Sequence, residues 1–377
     1  MADTTPARRS MPGRAVTVIA VLLAVLAGLA LLRLCLGATG FGWPDGHVGA
    51  AGWRLLVPAP IDHAWRSVTG LSSPSSGGVD PLDYRLLRLL AACLVGIALS
   101  TSGVALQTLL RNPLAEPFIL GISSGAAVGV LAFLLVQFHL DQPLAQTSTT
   151  LAWVGTRQMA ALAGATLTAL IVYFAGRKHG MIDPLGLLLT GVILGVVNGA
   201  VIMLLNYLVT PAGLIQHVGT WMMGYIDEGT TPMTFQVVTL LLIVSLGLLI
   251  YLGRAMDVAT FSDAEAMSLG VNLSRLRTIL FIVASALAAG AVMIAGPIGF
   301  VGLICPHLAR VMLGPGHRAL LISSALLGAI LMTLADSVAV GLDMRYHIGL
   351  LPIGIFTAIL GGPMFLWMLR PQLGRGA

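Results

Sequence analysis

The chain has 377 residues, of which 20 are Lys or Arg and 15 are Asp or Glu; charged residues make up 9% and hydrophobic residues 57%. Soluble domains carry about 25% charged residues, and a soluble globule of this size could not cover its surface with so few. A soluble enzyme, a disordered chain and a collagen are excluded, and a mean hydropathy of +0.95 points to an integral membrane protein.

A bilayer core of about 30 Å takes about 20 apolar residues per helix. Apolar runs predict ten spans, near 15–36, 89–110, 118–138, 151–175, 185–208, 232–253, 278–295, 298–313, 319–335 and 352–369. The fold class is thus an all-α polytopic membrane protein, with one transmembrane domain over 1–377. The first span follows a basic start, but its apolar run is long and no cleavage site follows, so it reads as a retained helix. Arg33, near its end, is placed to snorkel. Residues 37–84 are rich in Gly, Pro and Ser and hold Trp43, Trp53 and Trp65, which reads as an extracytoplasmic segment at the membrane–water interface. Thr210-Pro211-Ala212-Gly213 divides the uncharged stretch 184–226, and Gly296-Pro297-Ile298-Gly299 divides 278–309, because Pro lacks an amide donor and Gly weakens helices. An even span count puts both termini on one side. With the N-terminus inside, thirteen Lys and Arg fall on inner segments and seven on outer ones, a bias that predicts cytoplasmic termini and a cytoplasmic loop at 254–277.

The single lysine, Lys178, is followed by His179. A Walker-type phosphate loop needs Gly-Lys-Ser/Thr, so any nucleotide hydrolysis that drives this chain belongs to a partner. Cys35, Cys93 and Cys305 lie far apart in apolar runs and read as small buried side chains, with no disulfide framework and no metal site. The net charge of +5 is spread along the chain and does not indicate nucleic acid.

Two stretches carry the motifs. The first runs from Arg111 to Gly125 and contains Asn112, Pro113, Leu114, Glu116, Pro117 and Gly121. Two prolines four apart prevent a continuous helix, and Asn112 and Glu116 supply polar groups to the backbone amides this break leaves. Gly121 and Gly125 form a small-residue stripe. Glu116 reads as a helix cap, or as a group acting in transport. The second stretch, Gly296 to Arg310, places Gly296, Pro297 and Gly299 before a short apolar segment and Pro306 and His307 within it. Such irregular backbone is tolerated at membrane depth only inside protein or along a cavity. His307 reads as a hydrogen-bonded structural residue. Asp336 sits at the outer end of a span.

These stretches, with Leu331 to Asp336 and Leu351 to Pro363, resemble the signatures of FecCD-type permeases, and the resemblance covers roughly 80–370. It implies the permease subunit of an importer for ferric siderophores, haem or cobalamin, in the bacterial cytoplasmic membrane. It also implies a second permease copy or a related permease, two ATP-binding-cassette subunits that hold ATP-Mg, and an extracytoplasmic binding protein; this chain itself would carry no cofactor. Ser262-Asp263-Ala264-Glu265 fits a helix-start capping box and Gly270 a helix stop. The resemblance makes this a coupling helix over 263–269, with Ala264, Glu265, Leu269 and Gly270 in or near the ATPase contact. Arg85 and Arg88 share one helix face, and the resemblance assigns them to binding-protein docking. Related proteins carry another Arg where this chain has Val340, and Arg345, in a longer-looking loop from Gly341 to Leu350, stands as its substitute. Asn112 and Leu114 would form the inner constriction, and Met222, Met223 and Tyr225 an adaptable wall of the path. The rival is a secondary transporter driven by an ion gradient, which would place ionisable groups near the midplane.

Overall fold

In a bilayer a helix satisfies every backbone polar group internally, and the apolar runs become helices over nearly their whole predicted lengths. The computed structural model describes residues 12–37, 40–41, 81–139, 150–178, 180–209, 219, 221–226, 230–347 and 349–373. In chain order the helices are α1 (Pro12–Cys35), α2 (Pro81–Leu110), α3 (Ile122–His139), α4 (Thr150–Ala175), α5 (Pro184–Val209), α6 (Pro232–Val258), α7 (Asp263–Ser268), α8 (Leu273–Ala295), α9 (Val301–Leu313), α10 (His317–Tyr346) and α11 (Ile353–Leu373). A 3-10 turn, Pro117–Leu120, precedes α3. Two short antiparallel ribbons pair Leu36–Gly37 with Gly40–Phe41 and Arg177–Lys178 with Met181–Ile182. The chain is all-α and polytopic. Among the described residues seven helices (α1, α2, α4, α5, α6, α8 and α10) are long and apolar enough to cross a membrane, and shorter apolar helices occupy the three remaining predicted positions. Most of the predicted extracytoplasmic segment, with its three tryptophans, lies outside the described residues, as does the break at 210–213.

Two predicted boundaries and one predicted small-residue stripe change. The span predicted at 298–313 is a helix of 13 residues, about 20 Å long at 1.5 Å per residue, and too short to cross alone. Pro297 cannot donate and Gly296 takes a left-handed φ of 67°, so 296–300 runs as non-helical backbone, with Gly296 and Ile298 buried and Pro297, Gly299 and Phe300 half-buried. The loop predicted from Gly341 begins instead at His347, because one glycine inside a long apolar helix does not end it and α10 continues to Tyr346. Gly121 and Gly125 do not form one stripe. Gly121 ends the 3-10 turn and faces Gly191 and Gly195 of α5, whereas Gly125 faces Thr168 and Gly164 of α4.

Helix α2 lies at the centre. Leu106, Leu109, Val95 and Val104 are buried, as expected of a helix that is apolar on all sides. It packs against α8, α9 and α10 through small residues. An added Cβ on Gly96 would lie 2.1 Å from the Gly328 carbonyl oxygen of α10, and one on Gly103 would lie 1.9 Å from that of Gly302 in α9. Without a hydrophobic drive between helices in lipid, such close backbone approach supplies the packing energy. Ser102 Oγ adds a cross-helix bond to Ala284 O of α8 at 2.7 Å. Gly103→Val is expected to force α2 and α9 apart at a cost of about 1–3 kcal/mol, read as a lower unfolding midpoint in detergent. An unchanged midpoint would mean that this crossing contributes little.

Candidate functional site: the coupling loop, the inner turn and the outer ion cluster

The end of the bundle predicted to face the cytoplasm is built from the loop between α6 and α8. Ser262 begins α7 with both halves of a capping box. Its hydroxyl accepts from Glu265 N at 3.3 Å, and its own N–H donates to Glu265 Oε2 at 3.0 Å. The Ser262 hydroxyl also donates to Glu265 Oε2 at 2.6 Å, and this bond first, then that from the Ser262 N–H, holds the Glu265 carboxyl below its usual range. Leu269 closes the helix and Gly270 follows at a left-handed φ of 83°. Six residues cannot sustain a helix alone. Ala266 packs inward, while Phe261, Met267 and Leu269 stand 54%, 58% and 63% exposed; Ala264, Glu265 and Gly270 are exposed beside them.

Asp263 ties this helix to its surroundings. Its Oδ1 accepts from Arg111 Nη1 at 2.6 Å and from Arg277 Nη2 at 2.8 Å. Partial burial opposes its ionisation, but the guanidiniums of Arg277 and Arg111 outweigh that and hold the carboxyl low. A parallel tie runs through His317 at the start of α10. Its ring meets Asp257 Oδ1 at 2.7 Å and Thr108 Oγ1 of α2 at 2.9 Å.

The turn after α2 is stiffened from within. Asn112 Oδ1 accepts from Leu114 N at 2.9 Å, and Leu114 packs on Leu303 and Ile304 of α9, beside Phe300, Met364 and Phe365. Pro113 is exposed and Pro117 opens the 3-10 turn. Glu116 is a cap, though of a distant helix: its Oε2 accepts from Phe300 N at the start of α9, at 2.8 Å. Burial pushes its carboxyl up to about 7, and the bond to Phe300 restrains part of that rise.

Pro306 lies inside α9 and leaves the Gly302 carbonyl without its helical donor. Gln107 of α2 supplies one, with Nε2 3.3 Å from Gly302 O, and its Oε1 accepts from Arg310 Nη2 at 3.1 Å. The sequence reading missed Gln107. A proline in a buried apolar helix implied an unmet carbonyl, and that was the available signal. His307, on the same helix, is half-buried.

At the outer end the structure corrects two expectations. Arg85 and Arg88 do not face outward. They are 5% and 4% exposed; Arg85 Nη1 donates to Leu34 O at 2.8 Å and Arg88 Nε to Asp336 Oδ1 at 2.8 Å. Nor does Arg33 snorkel, since its Nε meets Asp336 Oδ2 at 2.5 Å. For Arg33 and Arg88 the physical reason is shared: Asp336 is fully buried in α10, and a carboxylate there needs cationic partners; Arg85 is instead drawn in by the Leu34 carbonyl at the end of α1. Of the three arginines assigned to docking, Arg345 is exposed, with its guanidinium 5.6 Å from the Tyr346 ring centroid.

The 221–226 segment joins this cluster to the backbone break. Tyr225 lies under the Arg88 guanidinium at 5.5 Å. An added Cβ on Gly296 would lie 2.2 Å from the Trp221 carbonyl oxygen, and Gly354 N donates to Gly224 O at 3.2 Å. Met223 is exposed and Met222 half-buried.

The profile of the FecCD transport family matches residues 57–371. The chain belongs to that family. Similar FecCD-type relatives include the "Cobalamin import system permease protein BtuC" of Halobacterium salinarum, 38% identical over 79% of this chain and 75% of the relative. Another is the "Hemin transport system permease protein HmuU" of Yersinia pestis, 36% identical over 77% of this chain and 83% of the relative. A solved structure described as an inward-facing metal-chelate type ABC transporter superposes with a TM-score of 0.71 at 26% identity, covering 94% of this chain and 99% of that one. As a FecCD permease the chain is a multi-pass protein of the cytoplasmic membrane, and a transport component of an ABC importer that is not itself an enzyme.

Proposed function

We propose that this permease moves an iron chelate (a ferric siderophore or haem) or cobalamin inward, powered by two separate ATPase subunits that hold ATP-Mg. The observation that carries this reading is the capped helix α7, a short element with exposed Phe261, Met267 and Leu269 beside it and inside it. Exposed apolar side chains on a capped helix suit a groove in a partner. Ala264, Glu265, Leu269 and Gly270 form the contact. A second copy of the chain, or a related permease, completes the path. The names of the relatives support the substrate class, and because they differ between cobalamin and haem they leave the class at large chelates.

In this mechanism a loaded binding protein docks outside, where Arg345 is an exposed cation. Arg88 acts from behind, by holding Asp336 and Tyr225, and Arg85 by holding the end of α1 at Leu34. Movement of α7 then shifts the turn at Asn112 and Leu114, and the path opens inward. Met222, Met223 and Tyr225 line it with soft, weakly binding surface, so a large chelate leaves again. An ion-gradient mechanism would use an acid free to load its ion. Among the described residues the acid buried deepest in a helix is Asp336, and both its oxygens are engaged by arginine.

Leu269→Asp puts a charge into the contact, and burying it unpaired is unfavourable. The variant is expected to lose co-purification with the cognate ATPase subunits by about tenfold or more, which corresponds to about 1.4 kcal/mol, while its own unfolding midpoint stays within error. Undiminished co-purification would refute the contact.

A further inference from the structure

The segment between α2 and the 3-10 turn is gripped at both ends by groups far away in sequence. At its first residue, Arg111 reaches the coupling loop twice, with Nη1 2.6 Å from Asp263 Oδ1 and Nε 2.9 Å from the Ala259 carbonyl oxygen. Arg111 adopts a left-handed φ of 48° to do so, a conformation that side-chain-bearing residues rarely take and that needs surrounding contacts to hold it. At its last residue, Glu116 receives Phe300 N at 2.8 Å. Phe300 is itself left-handed at φ 69°, and an added Cβ on Gly361 of α11 would lie 2.2 Å from its ring. Between the two grips the turn is internally bonded, Asn112 N to Gln107 O at 3.2 Å and Ala115 N to Asn112 O at 3.1 Å.

We propose that residues 111–116 form a stiff connecting rod, in which Arg111 takes up movement of α7 and Glu116 delivers it to the α9–α11 junction at Phe300. This rests on reading α7 as the motor contact. Arg111 and Glu116 are positioning residues and touch no substrate. A displacement of α7 passes through a short, charge-assisted bond into a turn with little slack, and ends at a strained residue packed on a second helix. The His317 tie to Asp257 and Thr108 meanwhile fixes the end of α6 to α2 and α10, giving the rod a frame to move against. Such a link is tested by coupling between residues, since spatial continuity is not enough.

The test uses the whole complex of permease, ATPase subunits and binding protein in proteoliposomes. It measures chelate taken up per ATP hydrolysed for Arg111→Gln, Asp263→Asn and the double variant, with ATPase co-purification recorded for each. Each single variant is expected to lower the ratio by about fivefold or more, within the range of inter-site couplings, and the double to be no worse than the poorer single. ATPase co-purification with Arg111→Gln is expected to be unchanged. Singles that keep the wild-type ratio, or effects that multiply in the double variant, would overturn the link. Loss of co-purification in Arg111→Gln would overturn it too, since Arg111 would then shape the docking surface. Failure of the wild-type complex to take up any chelate with ATP is a different result and counts against the proposed function instead.

Discussion

Asp336→Ala is expected to destabilise the protein by about 3–5 kcal/mol, the usual cost of removing one partner from a buried ion cluster. Arg33 and Arg88 both donate to this carboxylate, and all three side chains are buried. Truncation would take the shared carboxylate away from two buried guanidiniums at the junction of α1, α2 and α10. Because α1 packs on α10 at this point, the loss should appear first as release of α1, read by protease accessibility, and then as a lower unfolding midpoint in detergent. Asp336→Asn keeps the shape and loses the charge, so it should fall between wild type and alanine. A midpoint unchanged in Asp336→Ala would show that the cluster contributes nothing net.

The second large effect concerns pH. Burial raises the Glu116 carboxyl from an ordinary 4.5 to about 7. A carboxyl whose folded pKa exceeds its unfolded one retains protons that the unfolded chain has released, so folded-state stability falls as pH rises. The fall begins near the unfolded value, is complete near pH 7, and amounts to about 3 kcal/mol at 1.4 kcal/mol per pH unit. Glu116→Gln keeps an acceptor for Phe300 N and cannot ionise. It is expected to abolish this decline and to be the more stable protein at pH 8. Glu116→Ala leaves the Phe300 amide without its acceptor and should cost about 1–3 kcal/mol at acidic pH. Stability measured from pH 4 to 8 checks both, and an equally steep decline in Glu116→Gln would refute the assignment.

The helices were legible because bilayer burial writes itself into local composition. The runs predicted at 151–175 and 185–208 became α4 at 150–175 and α5 at 184–209. The capping box at Ser262 was legible for the same reason, since all its atoms lie within four residues. What failed to show was long-range polar pairing. Arg85 and Arg88 share a helix face, and spacing alone could not say whether that face met solvent or Asp336, 248 residues beyond Arg88. Arg33 carried a usable signal, as a cation in an apolar helix asks for a partner, but helix-end position made snorkelling an equal solution. Glu116 was legible as a cap, though the helix it caps starts 184 residues later. Gln107 went unnoticed because glutamine at a helix end has no signature until the proline it serves is beside it.

The most direct measurement of the central claim is uptake of labelled cobalamin, haem and ferric siderophore into proteoliposomes that hold this chain with its ATPase subunits, supplied with the binding protein outside. Uptake of one of the three is expected to need internal ATP-Mg and the binding protein, and to persist when ionophores collapse proton and sodium gradients. Uptake that follows either gradient and proceeds without ATP would contradict the account.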